Sequence, residues 1–531
     1  MRKRTAVVNA FWDLFVVAAL WAILTAGQPL LSGAVESLFH QKPWVHRLLM
    51  SAVTLVFFGL CVMRYGRRSA GRPLEESLLE KSLRRLKLTP RGTVWLLFLI
   101  SAGLGIVGSV VRHRVFHTSF DMAIFTQAVW NTVHGNFLFS SIKGGICLLG
   151  DHFSPVLALL ALPYALWTDP ECLLVIQAVS SAACVFPIFL LAKRQYEHAW
   201  IPVLFCAAFV LYLPARNAVR FDFHPEVLAM PLLLWAFDAI ETRKLRWASA
   251  MLLLSLAVKE NAALVTFALG FYGAVFKKYR LFGAGWMAVS ALYFFAVIRY
   301  VIPYFSGEEY FYLRGNYNAW QETGAASLFR HVFHVSSAAY LIKIFAPLAF
   351  LSFLDGPTFM LTLPMLAQNL IARNPMARSI FFQYTALLTP FVFISAIYGG
   401  RRILNHKIAI YYFAVMVLLF AGVSEYFVIA NYADKATPHM GIVKHELKSI
   451  PPDASVRTHE FLASHLAHRK QIHIYENNHP REGGSDKART ADCVVVDRLF
   501  LGEREDQALQ ELTQQGYRIV KSNDGLTVLT R

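Results

Sequence analysis

Long apolar runs alternate with short polar clusters along most of the chain, and that pattern stops near residue 431. The runs fall at 11–32, 45–64, 93–111, 172–192, 199–214, 226–241, 246–258, 262–276, 282–303, 339–354, 357–371, 380–399 and 408–430. A stretch of roughly 20 apolar residues crosses a bilayer, so these read as membrane helices, several of them short. The basic residues test the count. They cluster at Arg2/Lys3/Arg4, between Arg64 and Arg91, at Lys193/Arg194, Arg243/Lys244/Arg246, Lys277/Lys278/Arg280 and Arg401/Arg402/Lys407. Thirteen crossings put every cluster on one side, which loops rich in Lys and Arg make the cytoplasmic side. The N-terminus is then expected inside and the tail outside.

One further apolar segment, residues 153–168, would spoil that count as a full crossing. It is expected to lie at the outer interface or to re-enter, with Tyr164 and Trp167 near headgroup depth. Two outer loops, 112–171 and 304–338, are long enough to suggest function.

After residue 431 the periodicity changes. ASVRTHE, QIHIYE and DCVVVDR are short strand-like runs, while FLASHLAHR and EDQALQELTQQ carry helical spacing. A closing VKSNDGLTVLTR alternates around a turn at Asn523-Asp524-Gly525. The expected fold class is an α-helical polytopic membrane protein of about 13 helices with a small C-terminal α/β domain. Its expected parts are a two-helix unit with a basic loop (1–92), the main transmembrane domain (93–430) and a soluble extracytoplasmic domain (431–531).

Composition narrows the function. Of 531 residues, 56% are hydrophobic and 16% charged, against about 25% charged in a soluble domain, which excludes a water-soluble enzyme. The net charge of +17 is not a nucleic-acid signal, because residues 431–531 hold 14 basic and 14 acidic residues and the surplus lies in the membrane loops. The six cysteines show no metal-ligand spacing, and Cys493 alone lies in the tail, so no disulfide framework is expected there. MRKR before an apolar run resembles a signal peptide, but no small-residue cleavage site follows, and a retained first helix is expected.

The candidate chemistry is gathered on one side of the bilayer. SFDMAIFTQAVWNTVHGNFLFSS carries Asp121, GDHFSP carries Asp151 and His152, and RNAVRFDFHPE packs Arg216, Arg220, Asp222, His224 and Glu226 between two spans. AVKENAAL sets Lys259, Glu260 and Asn261 inside an apolar stretch. Ionisable groups at membrane depth cost about 2.5–3.5 kcal/mol each on insertion scales and are rarely kept without a pathway or site. Structural roles compete: Asp121 as a helix cap, Asp222 paired with Arg220, Lys259 neutralising Glu260, His152 as a loop hydrogen-bonder. The seven tail histidines lack tight ligand spacing and are expected to be solvated.

The order of these features resembles the GT-C membrane glycosyltransferases: an acid just beyond a span, an interfacial helix, a span ending in Lys-Arg, another span, then a second acidic turn. The wording FDMAIFTQAVWNTVHGNFLFSS, GDHFSPVLALLALPYAL, DFHPEVLAMPLLLWA, VKENAAL and FFQYTALLTPFVF is similar to an uncharacterised bacterial family of predicted membrane proteins grouped with that fold. The resemblance covers roughly residues 93–500. It implies an enzyme of the bacterial inner membrane that moves a sugar from a polyprenyl-phosphate carrier to an acceptor at the outer face.

It further implies that Asp121 is the general base, with Asp222 as its partner around Mg²⁺ or Mn²⁺. Arg220 and Lys259 become candidates for the carrier phosphate, and His152 and Glu226 for substrate contact. Many relatives carry paired acids where Asp121 stands between Phe120 and Met122, so a metal-free mechanism stays open. The second long loop offers Glu308, Glu309 and Arg314, and from its length it is expected to close over substrate. A transporter or lipid-carrier flippase is the alternative, although no internal repeat is visible.

Overall fold

The computed structural model describes residues 89–318, 320–420, 437–474, 491–501 and 505–531. Apart from His406–Ile408, the described residues fall in the second of two units of the chain, Glu76–Asn405 with Ala409–Arg531. The expected spans 11–32 and 45–64 lie outside the described residues, as does the second half of 408–430. The second unit is mostly helical and carries a small sheet near its C-terminus.

Its first helix, α1 (Pro90–Arg114), starts on Thr89, whose side chain accepts from the Gly92 N–H, and on Pro90. Both features suit a helix N-terminus, where the first N–H groups need partners and proline loses nothing. Arg112, His113 and Arg114 occupy its last turn, where positive charge complements the helix dipole. A short helix α2 (Phe120–Val133) follows, then the hairpin β1 (Phe139–Ser140) and β2 (Ile146–Cys147).

Residues 153–168 form α3 (Val156–Leu166). Its Trp167 end is exposed, but Tyr164 is fully buried and its hydroxyl meets His468 Nε2 at 2.6 Å. Tyr164 therefore belongs to an internal contact with the tail rather than to a headgroup layer. The next helices are α4 (Pro170–Ala182), α5 (Val185–Gln195), α6 (Ile201–Leu211), α7 (Leu213–Arg220), α8 (Glu226–Glu241), α9 (Leu245–Leu256), α10 (Ala262–Val275) and α11 (Arg280–Ala296).

Among the described residues three helical stretches are long and apolar enough to cross a membrane: Pro90–Arg114, Pro170–Gln195 and Arg280–Ser306. The pair α6–α7, bent by 44°, makes a fourth if counted as one span, and shorter apolar helices supply the rest of the bundle. Proline begins several of these pieces, as at Pro202, Pro214 and Pro390, where its missing N–H interrupts a continuous ladder. Helices α10 and α11 lie so close that a Cβ on Gly283 would sit on the Gly270 carbonyl and 2.5 Å from the Ala274 Cβ. Small residues permit such backbone contact between membrane helices.

In the tail, β3 (Val456–Thr458) runs parallel to β4 (Ile472–Ile474) and β5 (Cys493–Asp497), and β6 (Arg518–Asn523) and β7 (Leu526–Thr530) add an antiparallel hairpin in the order β4-β3-β5-β7-β6. The hairpin turns at Asp524 and Gly525, both with positive φ, the geometry that matches strand twist. Val456, Ile472, Cys493 and Val495 join the main core, whereas Val494, Val496, Leu512, Tyr517 and Leu529 form a separate cluster on the other face.

The tail binds the first long loop through specific hydrogen bonds. The Gln127 amide donates to the Arg469 carbonyl at 3.1 Å, and Ser141 Oγ exchanges bonds with the backbone of Ile472 at 2.8 Å. Most described tail histidines are not solvated as their spacing suggested. His459 and His473 are buried, His465 stacks on His113 with ring centroids 4.1 Å apart, and His468 packs against Tyr164 and Trp130. Contacts from across the chain, invisible in local spacing, enclose them. His445 is exposed, and His479 lies outside the described residues.

Candidate functional site

The site is built at the start of α2. A helix N-terminus presents N–H groups without intrahelical partners, and here the Asp222 carboxylate, 100 residues on, supplies them. It accepts from the N–H of Ser119 at 2.9 Å, from the Ser119 hydroxyl at 2.5 Å and from the N–H of Met122 at 3.3 Å. Its other oxygen takes Arg112 at 2.7 Å, and its side chain has no solvent exposure. The pairing with Arg220 suggested by sequence is replaced by one with Arg112, whose guanidinium also reaches the Arg220 carbonyl at 3.2 Å.

Asp222 therefore caps the helix that carries Asp121, and Asp121 is released from that duty. The Asp121 side chain stays 27% exposed and faces His224 Nε2 at 3.4 Å. Burial alone would raise its pKa, but His224, Lys143 and Lys259 hold it below the ordinary carboxylate value. His224 is buried among Phe125, Phe221 and the start of α8, with its backbone N–H donating to Gln177 Oε1 at 2.7 Å. Burial alone would lower its pKa, yet Asp121, Glu226 and the Asp222 carbonyl hold it above the ordinary imidazole value.

Lys259 feels the charge of its neighbour Glu260, but its hydrogen bond is made elsewhere. It donates to Glu226 at 2.6 Å, and both side chains are nearly buried. The second Glu226 oxygen and Asn261 Oδ1 are buried without a hydrogen-bond partner among the described residues. Glu260 turns to the two long loops, accepting from the Phe153 N–H at 2.9 Å and the Tyr310 hydroxyl at 2.6 Å, and pairing with His152 at 2.9 Å. His152 stacks on Tyr312 at 4.5 Å. Lys143 completes this wall, 3.4 Å from Asp151 and 3.3 Å from the Tyr312 hydroxyl.

The structure thus gathers Asp121, His224, Glu226 and Lys259 into one neighbourhood, with His152 and Glu260 on the adjoining network. Arg220 goes elsewhere. It lines, with Arg216, a shallow depression beside Ser101, Gly105, Ala178, Ser181 and Phe209. From the second long loop it is Tyr310 that reaches the cluster, while Glu308, Glu309 and Arg314 are exposed.

Local sequence did not single out Arg112, Lys143, Tyr310 or Tyr384, the last within electrostatic reach of Lys259, Asp121 and Glu226, and it named His224 within its polar turn without giving it a role. Only His224 had a usable signal, its place two residues after Asp222 in an already polar turn.

The donor set does not fit a divalent ion shared by Asp121 and Asp222. A carboxylate offers about four lone-pair sites, and those of Asp222 are taken by Arg112, Ser119 and Met122. Among the described residues no group of three or more His, Cys, Asp or Glu side chains is arranged to hold a metal.

Comparison with solved structures identifies the fold. The crystal structure of ArnT from Cupriavidus metallidurans bound to undecaprenyl phosphate superposes with a TM-score of 0.55 at 11% identity, covering 82% of this chain and 98% of that one. The apo form of the same protein gives 0.52 at 11% identity, over 82% and 97%. The chain thus shares the fold of those structures, the GT-C fold. No curated protein matches the sequence. A family profile described as a predicted membrane protein (DUF2079) matches residues 112–528, nearly the whole described fold, and the chain belongs to that family.

Proposed function

We propose that the protein is a membrane glycosyltransferase that moves a sugar from a polyprenyl-phosphate-linked donor to an acceptor at the outer face of the bacterial inner membrane. In this reading the chain crosses the bilayer thirteen times, with its N-terminus cytoplasmic and its tail extracytoplasmic. The observation that carries the proposal is Asp121. Of the acids in the cluster it alone keeps appreciable exposure, 27% against 6% for Glu226 and 3% for Glu260, and it sits in a GT-C framework. The undecaprenyl phosphate in the ArnT structure supports the donor class.

The chemistry follows from these groups. The acceptor hydroxyl donates its proton to Asp121 as its oxygen forms a bond to the anomeric carbon. The bond from that carbon to the carrier phosphate breaks, and its electron pair leaves with the phosphate. An ammonium has three donors; Glu226 takes one from Lys259, and the others face the developing charge. The orphaned oxygens of Glu226 and Asn261 are acceptors for sugar hydroxyls, since buried polar atoms demand partners. His152 holds Glu260 and the second long loop in place. Arg220 is given no role in the reaction, and no step runs through a metal.

The test is reconstitution in proteoliposomes with labelled polyprenyl-phosphate sugars. Wild-type protein transfers label, and Asp121→Asn lowers the rate by about 100-fold or more. Carrier movement across the bilayer without transfer, and indifferent to Asp121→Asn, would replace this reading by a flippase.

A further inference from the structure

His224 presents both ring nitrogens to acceptors. Nδ1 lies 3.0 Å from the Asp222 carbonyl oxygen, and Nε2 lies 3.4 Å from Asp121 Oδ2. A carbonyl oxygen has no hydrogen to give, so Nδ1 must carry a proton. A neutral imidazole carries only one. Its bare Nε2 lone pair would then face the carboxylate oxygen, two acceptors in contact within a buried setting. A proton between Nε2 and Asp121 removes that conflict.

We propose that the working state of the site is an ion pair, His224 doubly protonated and Asp121 ionised, with His224 acting as the positioning residue that keeps Asp121 charged and aimed. This rests on the glycosyltransferase reading for its catalytic consequence, but not for its structural content. In the reaction, one Asp121 oxygen holds the His224 N–H while the other accepts the acceptor proton, which passes to water after product leaves. Loss of the Nε2 proton at high pH would turn a donor into a repelling lone pair and free the Asp121 side chain to rotate. Activity is therefore bounded by protonation of Asp121 on the acid side and by deprotonation of His224 on the alkaline side.

The groups facing His224 agree with this assignment. Glu226 adds negative charge from the head of α8, and Lys259 is paired with Glu226. Lys143 acts on Asp121 from the first long loop. Arg112 is committed to Asp222 and stacks over Phe221, 5.3 Å from its ring centroid. Gln177 and Phe125 close the remaining sides.

Two measurements on the full-length protein in lipid nanodiscs decide it. Nitrogen-15 spectra of labelled histidine, assigned by difference from His224→Gln, should show both His224 nitrogens protonated at pH 6.5. The Asp121→Asn variant should move that titration to lower pH. A singly protonated His224 at pH 6.5, unmoved by Asp121→Asn, overturns the proposal whether or not the protein transfers sugar. In the transfer assay, His224→Gln keeps a donor to Asp121 but cannot titrate, so the alkaline limb of kcat should disappear while KM changes little. Transfer that retains the wild-type alkaline limb would overturn the inference and leave the glycosyltransferase reading standing. Absence of transfer by wild-type protein would count against the function, with the spectra still deciding the ion pair.

Discussion

The carboxylate of Asp222 accepts the backbone N–H of Ser119 at 2.9 Å, so an acid from one polar turn caps a helix that begins about a hundred residues earlier. This contact fixes the entry to α2 and with it the position of Asp121. It also separates the roles of two acids that look equivalent in the sequence.

Asp222→Ala should be structural in its effect. It removes the cap and leaves Arg112 buried without its carboxylate, and breaking one side of a buried ion pair costs about 3–5 kcal/mol. Thermal unfolding in detergent should move down accordingly. An unchanged midpoint would show that Arg112 and Ser119 do not depend on it.

Asp121→Asn should behave oppositely. The side chain is partly exposed and makes no cap bond, and an amide oxygen can still accept from His224, so stability should fall by only about 1 kcal/mol, with transfer lost. A large fall in midpoint would assign Asp121 to the fold.

Lys259→Met should leave Glu226 as an uncompensated buried charge and destabilise by about 3–5 kcal/mol. The double variant Lys259→Met with Glu226→Gln should recover most of that stability without recovering transfer. Recovery of both would mean that the pair serves packing alone.

The docked tail should loosen in acid. Burial, with the charges of His134 and Arg469, lowers His468 to about 4, and burial with His113 and Lys444 holds His465 well below the ordinary imidazole value. Free of those contacts each returns to about 6.5. The docked state then binds fewer protons, so docking is strongest above pH 6.5 and weakens as pH falls toward 4. Each histidine contributes on the order of 1 kcal/mol per pH unit in that range. Hydrogen exchange at 456–474 in nanodiscs should rise between pH 7 and pH 5. Equal protection at both values would remove His465 and His468 as the cause.

Gly150→Ala tests how the two long loops meet. A Cβ there would lie 2.6 Å from the Ser306 nitrogen and 2.7 Å from the Phe305 carbonyl carbon, so backbone must move. The Tyr310–Glu260 bond should break, seen as faster exchange at 305–312 and a KM for donor raised by about 10-fold, roughly 1.4 kcal/mol. Unaltered exchange there would show that the loops meet without this contact.

Much of the bundle and the tail was legible along the chain. The run 226–241 is a helix over the same residues, the strand-like runs of the tail are strands, and Asn523-Asp524-Gly525 is the hairpin turn. These follow from local causes: apolar spacing, alternation, and residues that tolerate positive φ. FLASHLAHR, by contrast, yields only the short helix Glu460–Ala463, because its Leu466 and His468 are drawn into contacts with the main core and the first loop.

Sequence by itself determined that the chain is a helical membrane protein, that its acids and bases concentrate in a few polar turns, and that Asp121, Asp222, Glu226 and Lys259 merited attention. The tertiary structure decided who partners whom: Asp222 with Arg112, Lys259 with Glu226, Glu260 with His152 and Tyr310, and Asp121 with His224. Apolar periodicity is a property of neighbours along the chain, so it survives in one dimension. The pairing of buried charges is set by distances of a few ångströms between segments as much as 110 residues apart, and those distances exist only once the helices have packed.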